Sequence, residues 1–184
     1  MTEVVFITGN MRKLDYLKMW LNLPVKHHKL DLDELQSLDA RTVAEHKARQ
    51  AYEILKEPVL TDDTSLTFTA MGRLPGTFIK FFLEEIGTEG LCRVANTLQH
   101  REAIATVTYA FCDGAQVHFF EGSVTGEVAP EPRGTNGMGW DAVFIPNGSS
   151  KTFAEMTDDE KKGYSARAIA IEKLRTFLEA RDKQ

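Results

Sequence analysis

Cysteine is scarce in this chain of 184 residues: Cys92 and Cys112 are the only two, and they form no C-x-x-C pair. That spacing excludes the common zinc-ligand pairs. One falls in a helical stretch and the other in a strand-like one, so both read as reduced core thiols of a cytoplasmic protein. The five histidines lack metal spacing too, since His27 and His28 are adjacent while His46, His100 and His118 stand alone. No apolar run approaches the ~20 residues that a membrane-spanning helix needs. The amino end is acidic and passes directly into an apolar stretch, unlike a secretion signal. A basic excess is also missing: 22 Lys and Arg stand against 27 Asp and Glu, a formal net charge of −5. Such a balance argues against a nucleic-acid backbone as the main partner, though a local basic pocket for a small anion is compatible with it. Neither a Gly-x-Ser-x-Gly elbow nor a Walker A loop occurs, which removes the usual marks of a covalent nucleophile and of a P-loop.

What is present is an ordinary globular composition, 42% apolar and 27% charged. The length suits one domain, 1–184, or two small lobes around a shared cleft. Val4 to Ile7 reads as a buried strand. A helix should follow, with Leu14, Leu17, Trp20 and Leu21 on one face, and Val25 to Leu30 as a second strand. Asp31 to Ala40 reads as an acidic loop. From Thr42 a helix presents Ala44, Ala48, Ala51 and Leu55, and Pro58 ends it. Val59 to Thr61 reads as a short strand ending at Asp62-Asp63-Thr64. Met71 to Gly76 carries turn chemistry, and Phe78 to Glu85 and Glu89 to Leu98 read as helical. Ala103 to Phe111 alternates as a strand, Asp113-Gly114 signals a hairpin, and Gln116 to Val128 returns. Gly134 to Gly139 is a glycine-dense loop, followed by a short strand at Val143 to Ile145. A terminal helix starts at Ser165 as cap, with Ile169, Ile171, Leu174 and Leu178 inward. The pattern predicts an α/β fold with a mixed sheet and flanking helices.

Four segments carry chemistry. In Thr8-Gly9-Asn10-Met11-Arg12-Lys13 a strand stops and a helix begins, which is where free backbone N–H groups attract an anion. Gly9 would permit close approach and Lys13 could reach the same anion, although a Gly-Asn turn equally serves turn geometry alone. Asp62-Asp63 places two carboxylates at a strand end, a donor set that suits Mg²⁺, with Glu34 as a further ligand; a solvated acidic turn is the other reading. In Gly137-Met138-Gly139-Trp140-Asp141 the indole can stack on a flat ring and the carboxylate can accept from a base, or the tryptophan is simply packed. Lys47, Lys80, Lys161 and Arg167 each read alone as surface cations, and they gain interest only from a shared cleft.

Thr8-Gly9-Asn10-x-x-Lys13, Asp62-Asp63-Thr64, Leu74-Pro75-Gly76-x-x-Ile79-Lys80, Gly139-Trp140-Asp141 with Phe144, and Ser165-x-Arg167 occur in that order. Together they make the chain resemble the inosine triphosphate pyrophosphatase family, from Val4 to about Leu178. The resemblance implies an elongated mixed sheet with two lobes around a nucleotide cleft. It implies a homodimer using Mg²⁺, or Mn²⁺, to split ITP, dITP and XTP into monophosphate and pyrophosphate. Thr8, Asn10 and Lys13 would hold the triphosphate, with Lys47 and Lys80 neutralising its charge. Glu34 and Asp63 would hold the metal beside Asp62, and Asp63 would also activate the water. Met138, Gly139, Trp140 and Asp141 would line the base pocket, met by Lys161, Ser165 and Arg167. One departure bears on base preference: the family's Ser-His-Arg is Ser165-Ala166-Arg167 here, and a methyl group cannot bond a 6-oxo group. Two alternatives follow, a pyrophosphatase of altered base preference and a non-catalytic nucleotide-binding protein.

Overall fold

The computed structural model describes residues 3–183. Strand β1 (Val4–Ile7) is apolar throughout and fully buried, the signature of a strand covered on both faces. It pairs in parallel with β2 (Val25–His28) on one side and β3 (Val59–Phe68) on the other. Helices α1 (Met11–Leu21) and α2 (Ala40–Leu55) lie in the connections between these strands, as parallel neighbours require. The seven-stranded mixed sheet has the order β2-β1-β3-β5-β6-β7, with β5 (Glu102–Cys112), β6 (Val117–Val128) and β7 (Phe144–Pro146). The two-residue β4 (Pro75–Gly76) pairs antiparallel with β3. Asp113 makes the β5–β6 turn, its carboxylate accepting from the N–H groups of Ala115 and Gln116 at 3.1 and 2.9 Å. Helices α3 (Ile79–Thr97), α4 (Asp158–Lys162) and α5 (Ala166–Arg181) complete the chain.

The chain divides into two compact units. The first comprises the chain through Asp63, Val107–Gly122, and the chain from Arg167 on. Its core packs Ala44, Ala48 and Ala51 of α2 against Val5, Ile7, Val59 and Ala110. The alanine face lets the helix approach the strands closely. The second unit comprises Thr64–Thr106 and Ser123–Ala166, with a core of Leu66, Phe68, Leu91, Phe144 and Phe153 among others. Among the described residues no helix is long and apolar enough to cross a membrane.

Three expectations need correction. β3 does not stop at Thr61 but runs ten residues to Phe68, so Asp62 and Asp63 lie inside a strand. Consecutive carboxylates read as a turn because a charge in a sheet is costly, but tertiary cations offset that cost here. Ile169 is 41% exposed; the buried face of α5 is Ala166, Ala170, Ile171, Leu174 and Leu178. Lys161 and Arg167 are not surface charges, being 3% and 5% exposed. The helical stretches expected on either side of residue 87 form α3, which is broken at Gly87 where φ is +65°.

Candidate functional site

In the first unit the site begins where β1 ends. The Thr8 hydroxyl oxygen accepts the Asn10 N–H at 3.1 Å. Asn10 is extended, and its side-chain oxygen accepts from the N–H groups of Arg12 and Lys13 at 3.0 and 3.3 Å, capping α1. The cap itself therefore takes up part of the donor set expected for an anion. Two bonds from β2 fix the turn: the Thr8 N–H donates to the His28 carbonyl at 3.1 Å, and His27 Nε2 lies 2.7 Å from the Thr8 carbonyl oxygen. Gly9 is not forced by sterics, since a Cβ there would make ordinary contact with Lys29 Cε at 3.7 Å.

Lys13, on the first turn of α1, donates through Nζ to Asp62 Oδ1 at 3.1 Å. Asp62 is also reached from α5, where Arg167 Nη1 donates to Oδ2 at 2.9 Å and to the Tyr109 hydroxyl oxygen at 2.8 Å. Alternation along β3 sends Asp63 to the opposite face. There Lys47 of α2 donates to Asp63 Oδ1 at 3.2 Å and to the Asp62 carbonyl at 2.7 Å. The Thr61 hydroxyl fastens the same strand to α2 by donating to the Ala44 carbonyl at 3.0 Å. Three cations thus surround two carboxylates, and Asp63 Oδ2 is buried without a hydrogen-bond partner.

The electrostatics of the two aspartates diverge. Burial opposes the Asp62 charge, but Lys13 and then Arg167 outweigh it and hold the carboxyl well below the usual range. Burial pushes the Asp63 carboxyl up, and Lys47 only partly offsets this. Burial likewise lowers Lys13, against the pull of Asp62. Tyr109, buried and beside Asp62, has its hydroxyl pushed up to about 12 although Arg167 draws it down.

In the second unit the glycine-dense loop is held by backbone bonds and by bonds from side chains to backbone. The N–H groups of Thr135 and Asn136 both donate to the Ala154 carbonyl, at 3.1 and 2.9 Å. Asp141 Oδ2 accepts the Met138 N–H at 3.0 Å, and a Cβ at Gly137 would meet that same oxygen at 2.4 Å. Lys161 Nζ donates to the Asn136 carbonyl at 2.5 Å and to Asp141 at 3.4 Å. Gly139 has a φ of +58°, a conformation that favours glycine. Trp140 is half-buried against Phe144 and Phe153, with ring centroids 5.7 and 6.3 Å away. Ser165 is half-buried, Ala166 is buried, and Lys80 is exposed on the first turn of α3.

Glu34 lies on the exposed stretch joining β2 to α2. Among the described residues no three carboxylate, imidazole or thiol groups gather as a metal cage. A divalent ion at Asp63 would suit Mg²⁺, which keeps waters and takes few protein ligands, and the unpartnered buried oxygen of Asp63 is a fitting donor. Tyr109 and His27 were not foreseen as site residues. A tyrosine in an apolar strand reads as core, and its partner Arg167 is 58 residues away in sequence.

A model of the Ham1 family matches residues 4–177. The chain belongs to the Ham1 family. It is 43% identical over 182 residues to the inosine triphosphate pyrophosphatase of Schizosaccharomyces pombe, covering 97% of this chain and 96% of that one. It is 41% identical to the inosine triphosphate pyrophosphatase of Yarrowia lipolytica, over 99% of this chain and 98% of the relative. Among solved structures, a HAM1 protein of Coxiella burnetii superposes with a TM-score of 0.86 at 28% identity, covering 98% of this chain and 100% of that one. The mixed α/β fold of this chain is that of the Ham1 structure it superposes on.

Proposed function

We propose that this Ham1 protein hydrolyses non-standard purine nucleoside triphosphates, ITP, dITP and XTP, to the monophosphate and pyrophosphate. The curated relatives named for inosine triphosphate support the substrate class. The single observation that carries the chemistry is the buried, unpartnered Asp63 Oδ2 beside Lys47.

In this reading Thr8, Gly9, Asn10 and Lys13 receive the triphosphate, and Lys47 and Lys80 offset its charge. Phosphoryl transfer is mostly positioning and electrostatics, so cations around the phosphate oxygens supply much of the effect. Asp63 takes the proton of the attacking water, a role that its raised pKa favours. Mg²⁺, or Mn²⁺ in its place, would be held by Asp63 with Glu34, and would supply charge neutralisation on the leaving pyrophosphate. Asp62, bonded to both Lys13 and Arg167, orients cations and is the weaker candidate for a metal ligand. Met138, Gly139, Trp140 and Asp141 would line the base pocket, with Lys161 and Ser165.

A second reading, the same reaction with altered base preference, is favoured by one observation. Ala166 presents a buried methyl group where the family pattern has an imidazole, removing a polar contact that could discriminate bases.

The proposed setting is the cytoplasm, for which two unpaired buried thiols are suited. The proposed assembly is a homodimer, and exposed Phe81 and Ile86 on α3 offer apolar surface for it. Turnover of ITP in ¹⁸O-labelled water tests the reaction. Label in the monophosphate is expected, because water attacks the α-phosphorus. Label in pyrophosphate, or release of orthophosphate alone, would overturn the reading.

A further inference from the structure

We propose that Lys29 is a further phosphate-binding residue of the turn after β1, where it supplies an uncommitted ammonium group to the polyphosphate chain of the substrate. This role rests on the reading of Thr8 to Lys13 as the place where phosphate binds.

β2 runs beside that turn and is tied to it. The Thr8 N–H donates to the His28 carbonyl at 3.1 Å, and His27 Nε2 lies 2.7 Å from the Thr8 carbonyl oxygen. Side chains alternate along an extended chain, so Lys29, two residues beyond His27, leaves the backbone on the same side. It meets the turn one residue further on. His27 touches Thr8, and Lys29 Cε lies 3.7 Å from the position that a Cβ on Gly9 would take. Gly9, Asn10 and Lys29 are all exposed. The lysine stem therefore borders the open side of the turn, beside the residue that has no side chain to hold a phosphate off.

Lys29 differs from the neighbouring cations in having no partner. Lys13 donates to Asp62 at 3.1 Å and Lys47 to Asp63 at 3.2 Å. Lys26, on the other face of β2 from His27, is paired with Glu57 at 3.4 Å. Among the described residues Lys29 makes neither an ion pair nor a side-chain hydrogen bond. A polyphosphate must compete with carboxylates for Lys13 and Lys47, but it meets Lys29 without breaking a bond. The flexible four-carbon stem lets the ammonium group follow a charge above the turn. Because the group is exposed, its attraction is modest and is screened by salt.

Calorimetric titration with inorganic triphosphate, a probe without a base, tests this role. Lys29→Met should weaken binding about 3- to 5-fold at low salt, the scale of a good exposed ion pair. Its affinity should also fall less steeply with added salt than that of the wild type. Lys29→Arg keeps the charge and should keep the affinity. Lys26→Met removes the same charge from the same strand and should bind as the wild type does. In turnover of ITP by Lys29→Met, KM should rise by the factor seen in the titration while kcat holds, as for a contact made equally in the ground and transition states. The ITP-to-ATP ratio of kcat/KM should not move. Melting of Lys29→Met should match the wild type, since no bond within the protein is lost.

Unchanged triphosphate affinity in Lys29→Met would overturn the inference and leave Lys29 a solvated surface charge. An equal loss in Lys26→Met would overturn it as well, because net charge and not a contact would then be responsible. Lys13→Met, in which Asp62 retains Arg167, separates this inference from the reading beneath it. Weaker binding in Lys13→Met without any in Lys29→Met would sink the role of Lys29 alone. No weakening in either would mean that phosphate does not bind at this turn, and both would fall.

Discussion

The two units hold their candidate residues by different balances of side chain and backbone. In the first, Lys13, Lys47, Asp62, Asp63 and Arg167 are held by one another, side chain to side chain, with most of their surface out of water. In the second, the loop from Gly134 to Asp141 is held by backbone bonds to Ala154 together with bonds from Asn136, Asp141 and Lys161 side chains to backbone, and Gly137 leaves room for Asp141. A site of mutually compensating charges is intolerant, since each member exists at the expense of another. A loop shaped by backbone can exchange side chains and alter what it accepts. In the proposed function, chemistry belongs with the first arrangement and selectivity with the second.

The sharpest way to break this contrast is Asp63→Asn. Loss of a general base should lower kcat by ~10²–10⁴-fold. Stability at neutral pH should not fall, because burial already disfavours the Asp63 charge. A carboxyl whose folded pKa is raised stabilises the protein only while protonated, at low pH, and that contribution is gone at neutral pH. Steady-state kinetics beside a urea titration measures both effects, and a strongly destabilised variant would mean that Asp63 is scaffold.

Asp62→Asn should behave in the reverse sense. It leaves the buried Arg167 and the partly buried Lys13 without their counter-charge and should cost ~3–5 kcal/mol of stability at neutral pH. The Asp62 carboxyl is depressed below the ordinary 3.8, so its contribution is complete above that value and drains away as pH falls further. Stability curves of wild type and variant should therefore run parallel above pH 3.8 and converge below it. Parallel curves throughout the acid range would contradict the assigned ion pairs.

The smallest effect is expected in the second unit. Lys161→Met removes the donor to the Asn136 carbonyl and Asp141. KM for ITP should rise ~10-fold with the loss of these two charged hydrogen bonds. Affinity for inorganic triphosphate should stay as in the wild type. A matching loss of triphosphate affinity would erase the division between the two regions.

Much of the scaffold could be read from the chain alone. Val4 to Ile7 declared a buried strand, Asp113-Gly114 a hairpin, and the alanine stripe of α2 a packed face. The candidate site was legible as an ordered set of motifs, but its internal geometry was not. Asp62 and Asp63 resembled a turn because the cations that let them sit inside β3 come from α1, α2 and α5. Lys161 resembled a solvated helix charge because every residue of α4 is charged, while its actual acceptors lie in the loop some 20 to 25 residues earlier. Tyr109 carried no signal, since its one distinguishing bond is to a residue in the last helix. Local pattern locates elements; buried charge is decided by partners distant in sequence.

In the proposed reaction the charged cluster around Asp63 releases pyrophosphate from non-standard purine nucleotides. Pyrophosphate production from ITP, XTP, dITP, ATP and GTP, each with Mg²⁺ and again with a chelator, tests it most directly. Rapid release from ITP, XTP and dITP, little from ATP and GTP, and none with chelator is the predicted result. Equal release from ATP and ITP would contradict the substrate class, and no pyrophosphate from any of them would contradict the claim itself.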